Sequence, residues 1–210
     1  MRRPIRPGDV APEFTLATVL DGTAVSLAKY REKTAVLLGL FRGLHCPFCR
    51  RQIFHLSGIQ SSLTAMGVTT LIVVNTQRER AALYFRYQPA AGVLLVDPEA
   101  SVHRLFGVPE VIPDEAFMRA RINPTGELPH PMHPMEANVA LNAKDGFEIS
   151  LVDTEIFDAH GRQLVGHFLI DRHGVVRWTS IEAEDGVDTV GIFPSVSQIL
   201  AAARTLPERA

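Results

Sequence analysis

The residues of this chain whose types and spacing suit covalent chemistry are Cys46 and Cys49, its two cysteines. They are three positions apart, which places them on one face of a helix and within disulfide reach. The thiolate is the reactive form of cysteine. The pair therefore predicts thiol redox chemistry, in which Cys46 is the nucleophile and Cys49 closes a disulfide after Cys46 has reacted.

The residues around the pair predict the elements that position it. Ala35–Phe41 is a short apolar run that is typical of a buried strand in a parallel sheet. Gly43 permits a turn, and Pro47 lacks an amide hydrogen and suits the first turn of a helix. This places Cys46 at a helix N-terminus, where free amide hydrogens and the helix dipole stabilise a thiolate. We expect Cys49 to be the more buried cysteine.

Three arginines close to the pair predict a positive environment for the nucleophile. Arg42 precedes the cysteines and Arg50 and Arg51 follow them, so each side chain could favour the charged form of Cys46. The amphipathic pattern after the pair predicts a helix that continues to near Met66.

The same pair admits three other interpretations. It could be half of a structural zinc site with His45 or His55, but such sites usually take four ligands from two clustered pairs, and the sequence has no second cysteine pair. It could be a static disulfide, although so short a loop constrains the chain little. It could be a coincidental pair on an inert scaffold. A proline inside the CxxC, after a buried strand and at a helix start, favours the redox interpretation.

Composition limits the classes of protein that the chain can belong to. With 210 residues and 46% hydrophobic residues, it suits one globular domain spanning 1–210. The 21 basic and 23 acidic residues, formally −2, favour neither nucleic acid nor an anionic membrane as partner. No run approaches the roughly 20 apolar residues of a membrane span. Residues 1–8 are basic but lack the apolar core of a signal peptide, so we expect a cytoplasmic protein.

The remaining patterns predict an α/β protein. Strands are predicted at 14–19, 23–27, 35–41, 68–75, 93–96, 163–170 and 175–179. Helices are predicted at 47–66, 77–88, 97–107 and from 194 onward. The first two strands are joined by Asp21-Gly22 and form a hairpin, and the last two form another. The alternation between them implies a largely parallel sheet with helices on its faces. We interpret the acidic stretch 182–188 as a solvated loop.

The regular pattern breaks between about 108 and 162, which we treat as an inserted segment. Six of the 14 prolines lie in 109–134, so long regular elements are not expected there beyond one helical turn at 114–121. A further short element is predicted at 147–157. The histidines of 130–134 suggest a metal site, but no carboxylate cluster adjoins them except Glu136. We interpret the segment as an ordered loop that packs near the active site or at the subunit contact of a homodimer.

Three stretches carry a resemblance to a known family. Residues 41–50, FRGLHCPFCR, resemble the reactive-cysteine motif of the alkyl hydroperoxide reductase/thiol-specific antioxidant family, a peroxiredoxin-like branch of the thioredoxin-fold superfamily. Residues 95–108 resemble its Asp-containing strand and Phe/Tyr-Gly-Val helix end, and 168–178 its terminal hairpin. The resemblance covers about 8–107 and 163–205. It implies a thioredoxin-like fold: a central mixed sheet flanked by helices, with an N-terminal β-hairpin and an insertion before the last hairpin.

The chain departs from the family pattern at the positions that hold peroxide. The resemblance calls for a Pro and a Thr or Ser seven and three residues before the reactive cysteine, where this sequence has Gly39 and Gly43. It also calls for an Arg near Val165. Arg42 or Arg162 are the candidates to replace that guanidinium.

The residues and the resemblance together predict a thiol-dependent oxidoreductase with Cys46 and Cys49 as its catalytic residues. As a peroxidase with antioxidant activity, it would oxidise Cys46 to a sulfenic acid with which Cys49 condenses. The first alternative is a thiol:disulfide oxidoreductase that uses the same pair, and the second is a redox-inactive binding module of the same fold. No cofactor or metal is expected. An external thiol of the thioredoxin, glutaredoxin or glutathione type would reduce the disulfide.

Overall fold

The computed structural model describes residues 3–206, which build one sheet, its flanking helices and a continuous hydrophobic core. The strands are β1 (Thr15–Thr18), β2 (Ala24–Ser26), β3 (Ala35–Phe41), β4 (Val68–Val74), β5 (Val93–Val96), β6 (Gly166–Ile170) and β7 (Val176–Ile181). The α-helices are α1 (Pro47–Gly58), α2 (Gln60–Ala65), α3 (Arg78–Tyr87), α4 (Ser101–Leu105), α5 (Glu115–Arg119), α6 (Pro134–Lys144), α7 (Leu151–His160) and α8 (Val196–Arg204). Short 3₁₀ turns occupy Leu27–Tyr30 and Val187–Thr189.

The seven strands form a mixed sheet in the order β2-β1-β5-β4-β3-β6-β7. The β3/β4 and β4/β5 pairs are parallel, and the other four pairings are antiparallel. The alternating first half of the chain predicts the parallel centre correctly. The two hairpins join it on opposite sides and make the sheet mixed, as the resemblance implies.

Strand β3 carries the chain to the cysteines from inside the sheet. All seven of its residues are buried, because β4 and β6 pair with its two edges and side chains cover both faces. Helix α1 follows after the turn 42–46, with Phe48, Ile53 and Leu56 in the core. The predicted helix to Met66 is interrupted at Ile59, directly after Gly58, whose low helix propensity favours termination.

The inserted segment contains more helix than its prolines suggest. Helix α5 matches the predicted turn and α7 the further short element predicted at 147–157, but the expectation of a loop is wrong for α6. Pro134 starts α6, since a proline in the first turn loses no hydrogen bond, and a capping box between His133 and Glu136 completes that start. Ser150 and Asp153 form a second capping box at the start of α7. The segment is ordered, as predicted.

None of the helices in the described part of the chain has the length and apolar character that a bilayer span requires.

Candidate active site

Cys46 occupies the N-cap of α1, the position that the sequence predicts. Its backbone is extended, Pro47 follows as the first helical residue, and the Cys46 Sγ accepts a hydrogen bond of 3.2 Å from the backbone N–H of Cys49. The Cα atoms of the two cysteines are 5.3 Å apart, and their sulfurs lie within disulfide reach. An amide donor thus stands at the sulfur on which negative charge would develop.

The two cysteines do not differ in burial, contrary to our expectation. Each is 1% exposed, because the inserted segment covers the start of α1. What distinguishes the two cysteines is their position relative to a cavity. Cys46 lines a cavity of about 380 Å³, and Cys49 is not among its lining residues.

This cavity lies between the start of α1 and the inserted segment. Arg42, His45, Cys46 and Phe48 line one side of it. The other side is built by the insertion, which supplies apolar and polar groups: Glu110, Val111, Pro113, Phe117, Pro134, Met135, Asn138, Phe157, Asp158, Ala159, His160, Gly161 and Arg162. Val190 completes the lining. The insertion is therefore part of the site itself.

Arg50 links the inserted segment to residues 42–46, the turn that precedes α1. Its guanidinium donates to the carbonyl of Leu44 at 2.6 Å, to Asn142 Oδ1 at 2.8 Å and to Asp145 at 2.6 Å, and it stacks on the Phe147 ring at 4.0 Å. The Arg51 guanidinium likewise donates hydrogen bonds to two carboxylates, those of Asp145 and Glu127. Both arginines are thus ion-paired with carboxylates, which the sequence does not predict, and their contribution of positive charge at Cys46 stays a prediction.

Arg42 is buried in the cavity wall and is held by Glu182, a residue that the sequence assigns to a solvated loop. The Glu182 side chain is 0% exposed and accepts hydrogen bonds from Arg42 at 2.8 Å, from the Gly191 N–H at 2.7 Å and from the Val165 N–H at 2.8 Å. Glu182 directly follows β7, and its own N–H donates to the Val165 carbonyl, so the hairpin pairing carries it inward. The sequence does not distinguish Glu182 from the acidic residues that follow it, Glu184, Asp185 and Asp188, which are exposed.

Arg162 is the other candidate to replace the arginine that holds peroxide in the family, and unlike Arg42 it is exposed. Its side chain is 66% exposed and lies 3.8 Å from Glu110, although both residues line the cavity. Val165 is buried and contributes only its backbone to the site. Of the two candidates, Arg42 is thus the one whose guanidinium is buried and held by a carboxylate, in the wall of the cavity that Cys46 also lines.

His45 is a buried side chain that sequence reasoning considered only as a zinc ligand. It is 4% exposed and its ring meets Phe157 edge-on at 5.2 Å. Burial, together with the charges of Arg42 and Arg50, lowers its pKa to about 4 against an opposing effect of Asp153. Within residues 3–206, no three His, Cys, Asp or Glu side chains form a group that could hold a metal ion.

Gly43 is required by the position of the His45 ring. A Cβ on residue 43 would lie 2.7 Å from His45 Nδ1 and 2.9 Å from the Asn75 carbonyl oxygen. The imidazole therefore fills the space that a threonine or serine at this position would need.

Gly43→Ala is expected to lower the free energy of unfolding by about 1–3 kcal/mol, because the new methyl group overlaps the imidazole and a backbone carbonyl. Gly58→Ala is the matched control, since a Cβ there meets no atom within 4 Å, and we expect it to be neutral or stabilising by up to about 1 kcal/mol. Urea denaturation measures both. Equal stability of the two variants would contradict this account of Gly43.

The fold and the site define the class of protein: a thiol-based oxidoreductase of thioredoxin-like fold, with a CxxC pair at the start of the helix that follows a central strand. The chain belongs to the AhpC/TSA family, whose model matches residues 7–179. No curated protein sequence matches it.

Solved structures share the fold over nearly the whole chain. The peroxidoxin BcpB from Mycobacterium tuberculosis superposes with a TM-score of 0.62 at 15% identity, covering 97% of this chain and 99% of that one. A 2-Cys peroxiredoxin from Plasmodium vivax gives 0.61 at 17% identity, with coverage of 96% and 81%. A putative thiol:disulfide interchange protein DsbE from Chlorobium tepidum gives 0.56 at 20% identity, with coverage of 95% and 99%. These likenesses confirm the predicted fold.

Proposed function

We propose that the protein is a thiol-dependent peroxidase for small hydroperoxides. The observation that carries this proposal is the position of Cys46, which is buried from bulk solvent but lines a cavity of about 380 Å³. A cavity of this size suits a small molecule. The amide donor at the sulfur supplies positive potential where negative charge would develop.

The catalytic cycle uses both cysteines. The Cys46 sulfur attacks the outer oxygen of the hydroperoxide, the O–O bond breaks, and an alcohol or water leaves with one proton, so that Cys46 becomes a sulfenic acid. The Cys49 sulfur then attacks the Cys46 sulfur and expels water, which leaves the Cys46–Cys49 disulfide. Their Cα separation of 5.3 Å supports this step without rearrangement of the helix.

The external reductant completes the proposed cycle. A thiol of the thioredoxin, glutaredoxin or glutathione type would return the disulfide to the dithiol, which suits the reducing cytoplasm. The single-domain organisation of residues 1–210 and a homodimer stay predictions.

A thiol:disulfide oxidoreductase is the second candidate function, and the absence of a hydroxyl group at position 43 favours it. The hydroxyl with which the family holds peroxide is missing at this position, and the His45 ring leaves no room for it. In this reaction Cys46 would attack a disulfide sulfur to give a mixed disulfide, which Cys49 would resolve. Because the insertion covers Cys46, a small disulfide suits this site better than a protein disulfide.

Stopped-flow oxidation of the reduced protein separates the two candidates. Hydrogen peroxide, an organic hydroperoxide, glutathione disulfide and a disulfide-bonded protein are mixed in turn with the dithiol form. The loss of free thiol gives each second-order rate constant. We expect both hydroperoxides to react fastest and the protein disulfide slowest. A small disulfide that outpaces both hydroperoxides would replace the peroxidase by the second candidate.

A further inference from the structure

The cysteine pair lies beneath the inserted segment, out of reach of the surface of another protein. Cys46 and Cys49 are each 1% exposed. Thiol–disulfide exchange requires the attacking sulfur to come into bonding contact with a sulfur of the disulfide. The reactive cysteine of a redox protein is carried on the surface of a folded domain, which cannot follow it under the insertion. Burial of the pair therefore restricts the class of external thiol that can reduce it.

The insertion is held at the residue that precedes Cys46. Asn142 of α6 is buried, and its Nδ2 donates a hydrogen bond of 2.9 Å to the His45 carbonyl. Its Oδ1 accepts one of 2.8 Å from Arg50, which also donates to the Leu44 carbonyl at 2.6 Å. Moving α6 away from the cysteines would break both hydrogen bonds of Asn142, so the covered arrangement is stabilised by buried polar contacts.

The cavity offers a small molecule a path to Cys46. Its lining includes the buried Cys46 together with residues at the surface, since Met135 is 41% exposed and the Arg162 side chain 66%. The cavity thus extends from the cysteine to the protein surface. Its volume of about 380 Å³ is that of a small-molecule site. Because Cys49 does not line it, a molecule in the cavity meets Cys46 first.

We propose that the external reductant is a low-molecular-weight thiol of the glutathione kind, which enters the cavity and attacks the Cys46 sulfur. Proteins of the thioredoxin and glutaredoxin types do not reduce the pair directly. This inference rests on the peroxidase function proposed above, because it names the partner that closes that cycle.

Two molecules of the small thiol complete the reduction. The thiolate of the first forms a bond to the Cys46 sulfur, the Cys46–Cys49 bond breaks, and Cys49 leaves and takes up the proton that the small thiol released. The thiolate of the second attacks the sulfur of the bound thiol, which frees Cys46 as a thiolate and gives the small disulfide. The protein disulfide gains two electrons, and each small thiol loses one.

The rates of reduction by thiols of different size test the proposal. The disulfide form is prepared with diamide, so that the reductive step is measured whether or not hydroperoxides oxidise the protein. It is mixed with glutathione, free cysteine, reduced thioredoxin or reduced glutaredoxin, and alkylation with mass spectrometry gives the fraction of dithiol. We expect the faster small thiol to exceed both proteins at least about 10-fold in second-order rate constant, because the proteins depend on local opening of the insertion.

Asn142→Ala tests whether the insertion is what excludes the proteins. Loss of its two hydrogen bonds makes local opening easier, so we expect reduction by thioredoxin to accelerate about 10–100-fold. Reduction by glutathione should accelerate less, since a small thiol enters through the cavity. If this variant fails to fold, Glu127→Ala replaces it, because it removes a partner of Arg51 nearer the surface.

Glu115→Ala is the matched control from the same inserted segment. Its carboxylate pairs with Arg119 within α5, where both side chains are 77% exposed, so all four rates should stay unchanged. A folded Asn142→Ala variant whose thioredoxin rate equals that of the wild type would contradict exclusion by the insertion.

Single-cysteine variants identify the sulfur that the small thiol attacks. Because the exchange is reversible, glutathione disulfide should attach one glutathionyl group to Cys46 in Cys49→Ser and none to Cys49 in Cys46→Ser. Intact-protein mass spectrometry detects the adduct. Attachment to Cys49 at an equal or higher rate, or to neither cysteine, would overturn attack at Cys46.

Failure of this inference is distinct from failure of the peroxidase function. A wild type that hydroperoxides oxidise, but that thioredoxin or glutaredoxin reduces faster than both small thiols do, ends only the small-thiol proposal. A dithiol form that is inert to hydroperoxides ends the peroxidase function, and the diamide-formed disulfide still decides which thiol reduces the pair.

Discussion

Cys46→Ser is expected to reduce the turnover of hydroperoxides and of disulfides at least about 1000-fold, to the background rate. A serine hydroxyl at the N-cap can still accept the amide hydrogen bond, so the start of α1 should keep its structure. It stays protonated, however, and forms neither a sulfenic acid nor a disulfide. A coupled assay that follows consumption of the external thiol measures the loss. Full activity in this variant would refute the thiol mechanism.

Cys49→Ser is the control that separates attack from resolution. Cys46 should still be oxidised once per molecule, because its sulfur and the cavity are unchanged. The sulfenic acid should then persist and be trapped by dimedone, since no second thiol lies within reach. If this variant is inert to oxidant while Cys46→Ser is oxidised, the two roles are exchanged.

Glu182→Ala is expected to lower the free energy of unfolding by about 3–5 kcal/mol. The substitution leaves the guanidinium of Arg42 buried without its carboxylate, and it removes the acceptor of two backbone N–H groups, those of Val165 and Gly191. Because Arg42 lines the cavity, peroxide reduction should fall as well. Urea denaturation measures the stability, and stopped-flow oxidation of the folded fraction measures the activity.

Glu184→Ala is the matched control from the same acidic stretch. Its carboxylate pairs with Arg6 at the surface, where the two side chains are 42% and 49% exposed, so its loss should cost at most about 1 kcal/mol. In the double variant Arg42→Met with Glu182→Leu, much of the lost stability should return, because no buried charge is left unpaired. Similar losses for Glu182→Ala and Glu184→Ala would contradict the structural role of the buried pair.

Local patterns predict the elements that hold the cysteines. The apolar run of β3, the turn at Gly43 and the proline after Cys46 each restrict the backbone within a few residues, so they are readable along the chain. The hairpins and the final helix are predicted for the same reason. The extent of the insertion's helices is not, because a proline either breaks a helix or starts one, and the context around Pro134 decides which.

The environment of the cysteines depends on contacts between segments that are distant along the chain. Arg42 and Glu182 are 140 residues apart, and Arg50 and Asp145 are 95 residues apart. Arg50 and Arg51 look like free cations in the sequence, and only the folded insertion brings carboxylates to them. Likewise, nothing in the sequence distinguishes His45 from a surface histidine.

By itself, the sequence determined that a CxxC pair stands at the start of a helix after a buried strand, because backbone preferences and apolar periodicity act locally. Only the tertiary structure decided that Cys46 lines a cavity and that Glu182 is buried. It also decided that the imidazole of His45 has no hydrogen-bond partner among the described residues. Burial and the pairing of charges depend on which segments pack together, and packing brings together residues that the chain keeps far apart.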